Sequence, residues 1–322
     1  MNGREGNYSK EVKNGKKWDV FIFGDVNIDI VIPGVEHFPL PGQEDEVEIM
    51  DTYVGGGAAL FTLGLGKLGL FPVFQGIIGD DCYGRFILDE FYQKNVDQSL
   101  LKISDKNKTG ISLSFTNEKD RSFLTYRGTN AELDVEAIQF ERVKQARHIH
   151  ITSYLGRRNH QQHLELLKKV KEQEDITVSL DVGWDDTGEW FPGIYELFPY
   201  IDVLFMNEVE AVNYSRKPSA MEAIGDFSKY GSLVVAKLGK RGSIAVSGDE
   251  IYEGKPYSVA AVDTTGAGDA FNAGFIYGYL RSRSIEECLR YGNGCGALSV
   301  TAYGGNTAFP TEEELLGFIQ EK

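Results

Sequence analysis

Six short apolar runs, spaced between stretches of helical period, constrain this chain of 322 residues more than any other feature. They are WDVFIFG (18–24), FPVFQGIIG (71–79), HIHITSYLG (148–156), DITVSLDVG (175–183), IDVLFMN (201–207) and SLVVAKLG (232–239). Most are apolar on both faces and most end on a glycine, the pattern of strands buried on both sides of a sheet. Helical patterns stand between or beside them: GGAALFTLGLGKLG (56–69), DDCYGRFILDEFYQKN (80–95), HQQHLELLKKVKEQ (160–173) and SAMEAIGDFSKY (219–230). GDAFNAGFIYGYLRS (268–282) and SIEECLRYGNGCGALSVTAY (284–303) close the chain as helices. Alternating β and α of this kind predicts an α/β fold with a Rossmann-like, doubly wound, mostly parallel sheet. Segments 29–54 and 108–128 instead alternate polar and apolar residues without a helical period, and read as strands of a small β lid over one edge.

No long linker, repeat or low-complexity tract divides the chain, so residues 18–322 read as one domain with its lid. Residues 1–17 are polar and basic, lack the apolar stretch of a secretory signal, and read as a mobile tail. The formal net charge of −15 argues against nucleic acid or an anionic membrane as a partner. Three scattered cysteines, Cys82, Cys288 and Cys295, form neither a zinc pattern nor a disulfide framework, as expected in the cytoplasm. GLGKLG (64–69) matches a dinucleotide-binding glycine pattern. It lies inside a helical run rather than at a strand-to-helix turn, and reads as helix packing. His148 and His150 share a strand face, and His160 and His163 a helix start. Without a nearby acid or cysteine pattern they read as hydrogen-bonded or solvated histidines rather than metal ligands.

The stretch DTTGAGDAF (263–271) follows an extended run, YSVAAV, and opens a helix. Gly266, Ala267 and Gly268 therefore fall where helical N–H groups are unpaired and the helix end is partly positive, so an anion can approach closely. Asp269, in the first turn, is expected to stay ionised and to take a proton from an attacking hydroxyl. Taken alone, the four residues GAGD fit a plain capped helix start equally well.

VDTTGAGDAFNAGF resembles the C-terminal signature of the PfkB family, the ribokinase-like carbohydrate kinases. GDVNID (24–29), GGGAALFTLGLGKLG (55–69), KTGISLSFTNEKDRSFLTYRGTNAEL (108–133), NEVE (207–210) and KLGKRGS (237–243) resemble further family motifs in family order. The resemblance implies a kinase that moves the γ-phosphate of ATP to a hydroxyl of a sugar or sugar-like substrate. It implies Asp269 as base and Gly266, Ala267 and Gly268 as anion hole. Asp29 becomes the sugar-binding carboxylate, with Asn27, Gly55 and Gly56 lining its pocket. Lys237, Gly239 and Gly242 fall near the ATP phosphates, Asn207 and Glu210 organise Mg²⁺ through water, and Asn293 borders the adenine. Asp263 and the Thr265 carbonyl fall where relatives hold K⁺, and the lid falls where family members pair into homodimers.

Two positions depart from the family pattern. Leu60 stands where an Asn usually bonds sugar hydroxyls, and the central DxN pattern is DVG (181–183), which keeps Asp181 and loses the Asn. Both put the substrate in question and leave the phosphoryl-transfer residues in place. A nucleoside kinase of the same family, and an inactive sugar-binding or regulatory protein, remain as alternatives at this point.

Overall fold

The computed structural model describes residues 15–35, 38–116, 121–152 and 154–321. The tail reading over 1–14 and the lid reading over 36–37 and 117–120 lie outside these residues. Lys16 and Lys17, at the end of the segment read as tail, are held: Lys16 Nζ donates to Lys144 O, and Lys17 N to Gln145 O, both at 2.8 Å. The tail reading is thus corrected at these two residues, where backbone bonding begins ahead of the first strand.

The strands are β1 (Trp18–Phe23), β2 (Asn27–Pro33), β3 (Asp51–Gly55), β4 (Pro72–Gly79), β5 (Asp97–Ser104), β6 (Gly110–Thr116), β7 (Arg121–Tyr126), β8 (Ala146–Ile151), β9 (Thr177–Asp181), β10 (Val203–Asn207), β11 (Leu233–Lys237), β12 (Ser243–Ser247) and β13 (Glu250–Gly254). The helices are α1 (Gly57–Lys67), α2 (Cys82–Gln93), α3 (Phe140–Val143), α4 (His160–Lys171), α5 (Glu208–Ser215), α6 (Ala220–Phe227), α7 (Ala267–Leu280), α8 (Ile285–Ser299) and α9 (Glu312–Glu321). Among the described residues nine strands form the main sheet in the order β13-β12-β11-β10-β9-β8-β1-β4-β5. It is parallel from β5 to β11 and antiparallel beyond.

The buried runs split their side chains between two cores with the period of two that a strand imposes. Phe21, Leu204, Met206, Val234 and Ala236 join one core with Leu167, Ile224 and Phe227 from α4 and α6. Val20, Ile22, Val203, Phe205 and Val235 join the other with Phe61, Phe275, Leu289 and Leu315 from α1, α7, α8 and α9. A sheet covered on both faces leaves its strand ends as the natural place for a site, above all where the strand order reverses. The chain leaves β1 toward β4 and β5 on one side and returns to β8 on the other, so β1 and β8 flank that point.

The four-stranded lid has the order β3-β2-β6-β7, with β2 and β6 parallel and the outer pairs antiparallel. Its central strand begins four residues after β1, which ties the lid to the C-terminal ends of the main strands. Strands β5, β12 and β13 and helices α3 and α9 went unread in the sequence, and the run YSVAAV is not a strand.

Candidate active site

Asp29 lies on β2, paired across the lid with Tyr53 and Ser112, and only 7% exposed. Asn27, two residues earlier on the same face, donates its amide to Asp29 Oδ1 at 2.7 Å. Opposite Asn27 stands Gly55, where a Cβ would fall 2.2 Å from Asp29 Oδ1. The missing side chain is therefore the space the carboxylate occupies. Burial pushes Asp29 up to about 6; the Asn27 amide opposes this, and Asp25 and Asp263 add to it.

Gly56 caps α1 with φ 93° and offers no side chain to its N–H groups. Asp25, just past β1, does so instead: its carboxylate accepts from Gly57 N at 3.1 Å and Ala58 N at 3.3 Å. Sequence reasoning passed over Asp25, an acid just past the end of β1 and far along the chain from the helix start it caps.

Helix α7 starts the same way, on Gly266 at φ 72°. A Cβ there would meet Gly305 O at 2.7 Å and Leu60 Cδ1 at 3.0 Å. Gly266→Ala should lower stability by ~1–2 kcal/mol from the left-handed backbone alone. It should lower turnover at least about tenfold by displacing the N–H groups that follow. Melting curves and kcat check both, and a variant with wild-type kcat would detach this loop from the chemistry.

Asp269 stands one turn into α7, and its Oδ1 lies 3.2 Å from where a Gly57 Cβ would be, so the two glycine-capped helix starts meet at this carboxylate. Helix position favours the ionised form of Asp269, and burial works against it. Burial drives its carboxyl well above the usual range, Asp181, Asp25 and Glu210 add to this, and Lys237 opposes it.

Lys237 ends β11, beside Asn207 at the end of β10, with Asp181 at the end of β9. Its Nζ lies 2.7 Å from Asp181 Oδ2, 3.3 Å from Asn272 Oδ1 and 3.4 Å from the Cβ position of Gly268. Asn272 also donates to Asp181 at 2.5 Å. Asp181 is thus more than a survivor of a degraded motif: it anchors the lysine beside Gly268. Asn272 was missed too, and its place three residues after Asp269 on one helix face was the legible clue.

Asn207 and Glu210 form a capping box on α5. Asn207 Oδ1 accepts from Glu210 N, and Glu210 Oε2 accepts from Asn207 N. Glu210 is 5% exposed, unlike an ordinary first-turn acid. Burial and then Asp181 raise it to about 7, against Lys237 and the Asn207 N–H.

The remaining residues are spread wider. Asp263 Oδ1 accepts from Thr265 N and Oγ1, and Oδ2 from Gly304 N, so it braces two loops. Gly239 begins a 3₁₀ turn after β11. Gly242 is packed so that a Cβ would lie 2.1 Å from Gly254 O. Asn293, on α8, donates to Ser243 Oγ at 2.9 Å. Gly242 and Asn293 thus both serve the packing at β12 and β13, whatever else they touch. Leu60 is 3% exposed and lies close to Gly266 and Gly305. Among the described residues no group of three His, Cys, Asp or Glu is placed to hold a metal, and no helix is long and apolar enough to cross a membrane.

Residues 17–312 match the model of the pfkB family carbohydrate kinases. An uncharacterized sugar kinase of Archaeoglobus fulgidus is 32% identical over 251 residues, 77% of this chain and 98% of that protein. A 5-dehydro-2-deoxygluconokinase of Clostridium botulinum is 28% identical over 95% of this chain and 94% of its own. The structure of Arabidopsis thaliana ribokinase complexed with ribose and ATP superposes with a TM-score of 0.83 at 25% identity, covering 94% of this chain and 99% of that one. The chain belongs to the PfkB family of carbohydrate kinases, with the ribokinase fold. It is a sugar kinase, transferring phosphate to an alcohol.

Proposed function

We propose that this kinase uses Mg²⁺-bound ATP and that Asp269 deprotonates the sugar hydroxyl that attacks the γ-phosphate. The supporting observation is the meeting of the α1 and α7 starts at Asp269, with Lys237 beside Gly268. Donors and a fixed cation thus surround the place where phosphoryl charge must be held. A carboxyl lifted by its surroundings toward the working pH is also a better base than an ordinary one. Gly266, Ala267 and Gly268 form the anion hole. Asn207, Lys237 and Gly239 line the phosphate side of the nucleotide, with Gly242 and Asn293 supporting the adenine end from β12 and β13.

Glu210 suits Mg²⁺ held through water. Its capping bonds use part of its acceptor capacity, and a cation that keeps most of its water needs only such a contact beside phosphate oxygens. When bound, Mg²⁺ would neutralise charge on the phosphates. Asp263 is engaged by three protein donors, so K⁺ held with the Thr265 carbonyl should activate at most weakly. Homodimerisation through the lid is supported by Phe123, Leu124 and Tyr126 of β7, all more than half exposed.

Asn27 and Asp29 receive a vicinal hydroxyl pair, with Gly55 and Gly56 admitting the sugar to the backbone. Sugar binding without nucleotide should weaken as pH falls below about 6, because the acceptor becomes a protonated carboxyl. The same shift runs the other way in stability. The raised folded value means that stability is fullest below the unfolded value near 3.8 and is lost as pH rises through about 6. Asn27→Ala removes the opposing amide and should move the acid limb of Kd upward. A Kd flat from pH 5 to 8 would show that Asp29 does not bind the sugar.

The deciding experiment is ADP release over pentoses, hexoses, sugar acids and nucleosides, with wild type and Leu60→Asn. We expect a sugar or sugar acid other than free ribose to lead. Leu60 gives ribose no amide, a lost hydrogen bond worth roughly 1–3 kcal/mol. Ribose as the best substrate would overturn this reading of the pocket, and a nucleoside as the best substrate would overturn the sugar assignment.

A further inference from the structure

A cavity of about 540 Å³ opens at the N-terminal ends of the main strands, at the opposite end of β9 from Asp181. Lys16, Arg147 and Arg283 line it with one carboxylate, Asp175, and with Thr177 and Tyr279. Three basic side chains and one acid face the cavity, while Asp19 and Glu287, which pair with two of the bases, stand outside its lining. Lys16 reaches Asp175 at 2.6 Å, Arg147 reaches Asp19 at 2.7 Å, and Arg283 lies 3.6 Å from Glu287. Asp175 is 66% exposed at its side chain, so it can swing aside for a competing anion.

From this cavity a row of buried polar groups runs along one face of the sheet. Thr177, Ser179 and Asp181 alternate on β9 and therefore share a face, and β8 places His148 and His150 beside them. Thr177 Oγ1 lies 2.7 Å from His148 Nδ1, and Ser179 Oγ lies 2.7 Å from His148 Nε2 and 2.6 Å from His150 Nδ1. Both histidines are fully buried, and His150 Nε2 has no partner. The row spans about four residues of strand, roughly 13 Å. It ends where His150 feels the charges of both Asp181 and Lys237.

Burial keeps both rings neutral, so each carries one N–H. Ser179 has a single hydroxyl proton and must donate to one ring while accepting from the other. That couples the whole row into two polarities. In one, Thr177 donates to His148, His148 to Ser179 and Ser179 to His150, which leaves His150 Nε2 as an N–H. In the other every bond reverses, His150 Nε2 is bare, and the Thr177 proton points away from His148. Its protein acceptor would then be Arg147 O at 3.5 Å, a weak bond. Asp181, whose charge acts on His150 more strongly than that of Lys237, favours an N–H at Nε2 and so the first polarity without an anion, and an anion accepting from Thr177 favours the second.

We propose that this cavity binds a small phosphorylated or carboxylated anion, and that occupancy reverses the Thr177–His148–Ser179–His150 row, changing the dipole presented beneath the Asp181–Lys237 pair. The effect on turnover rests on the kinase reading above, whereas binding and ring polarity do not.

The test uses the full chain with its nucleotide site filled by Mg²⁺ and a non-hydrolysable ATP analogue. Inorganic phosphate and 3-phosphoglycerate are titrated separately by calorimetry, with ¹⁵N NMR of the histidine rings. At least one probe should bind saturably, and His150 Nε2 should change from protonated to bare. Lys16→Ala with Arg283→Ala should weaken that binding at least tenfold. Thr177→Val should still bind the probe saturably, more weakly by the lost Thr177 bond, while abolishing the His150 change. Absence of saturable binding by either probe, binding indifferent to the two cations, or binding that leaves the His150 nitrogens unmoved would each overturn the proposal. In wild type the bound probe should shift turnover at least twofold, and in Thr177→Val it should not. An equal shift in both overturns the relay.

Discussion

Asp269→Asn should lower kcat at least ~10²-fold, the loss expected when a positioned base is removed. The KM for ATP should change only modestly, because the amide keeps the shape of the carboxylate. If proton removal occurs in the transition state, kcat and kcat/KM fall together. The same substitution should raise the melting temperature of the ligand-free protein near pH 8. Burial first, and then Asp181, Asp25 and Glu210, lift the folded-state value of Asp269 above its unfolded one. A raised carboxyl contributes stability at low pH that is lost as pH rises through its folded value, so an uncharged isostere relieves a cost present on the alkaline side. A structural carboxylate gives neither result: its loss lowers stability and leaves chemistry largely intact. A variant with more than half of wild-type kcat, under conditions where chemistry limits the rate, would remove Asp269 from the role of base.

The parts of this molecule legible in the sequence are those set by local period. Strands such as Trp18–Phe23 and Val203–Asn207 are buried on both faces and announce themselves as apolar runs, and α7 announces itself through its glycines and acid. Asp97–Ser104 and Glu250–Gly254 were illegible because these edge strands mix exposed and buried residues without an unbroken apolar run. At the site, Asp269, Asp29 and Glu210 could be named from motifs, whereas their protonation could not. The rise of Asp269 depends first on burial and then on carboxylates brought from the turn after β1, from β9 and from α5, separated from it by 59 to 244 residues of chain. Asp181 was visible only as half of a broken motif, because its partner Lys237 lies two strands away.

Lys237→Met should destabilise the protein by about 3–5 kcal/mol near neutral pH, the cost of leaving one member of a buried pair uncompensated. The side chains of Lys237 and Asp181 are only 14% and 13% exposed, and the 2.7 Å bond between them is central to the strand-end network. Burial alone would raise Asp181. The charge and hydrogen bond of Lys237, followed by the Asn272 amide, bring it below the usual range. In wild type this pair therefore stabilises above the unfolded value of Asp181 and loses that contribution as pH falls through its depressed folded value. Without the lysine the sign reverses: Asp181 keeps its burial and loses its counter-charge, so its folded value rises and protonation restores stability. The gap between wild type and Lys237→Met should accordingly widen from pH 4 to pH 8, as urea titrations across that range would record. Adding Asp181→Asn should recover much of the loss, since removing both charges is far less costly than removing one. That refolded double variant also separates two roles of the lysine. Low turnover in a stable double variant places Lys237 on the phosphates, whereas restored turnover would limit it to holding the sheet ends together. A single variant within about 1 kcal/mol of wild type at pH 8 would rule out the buried pair as described.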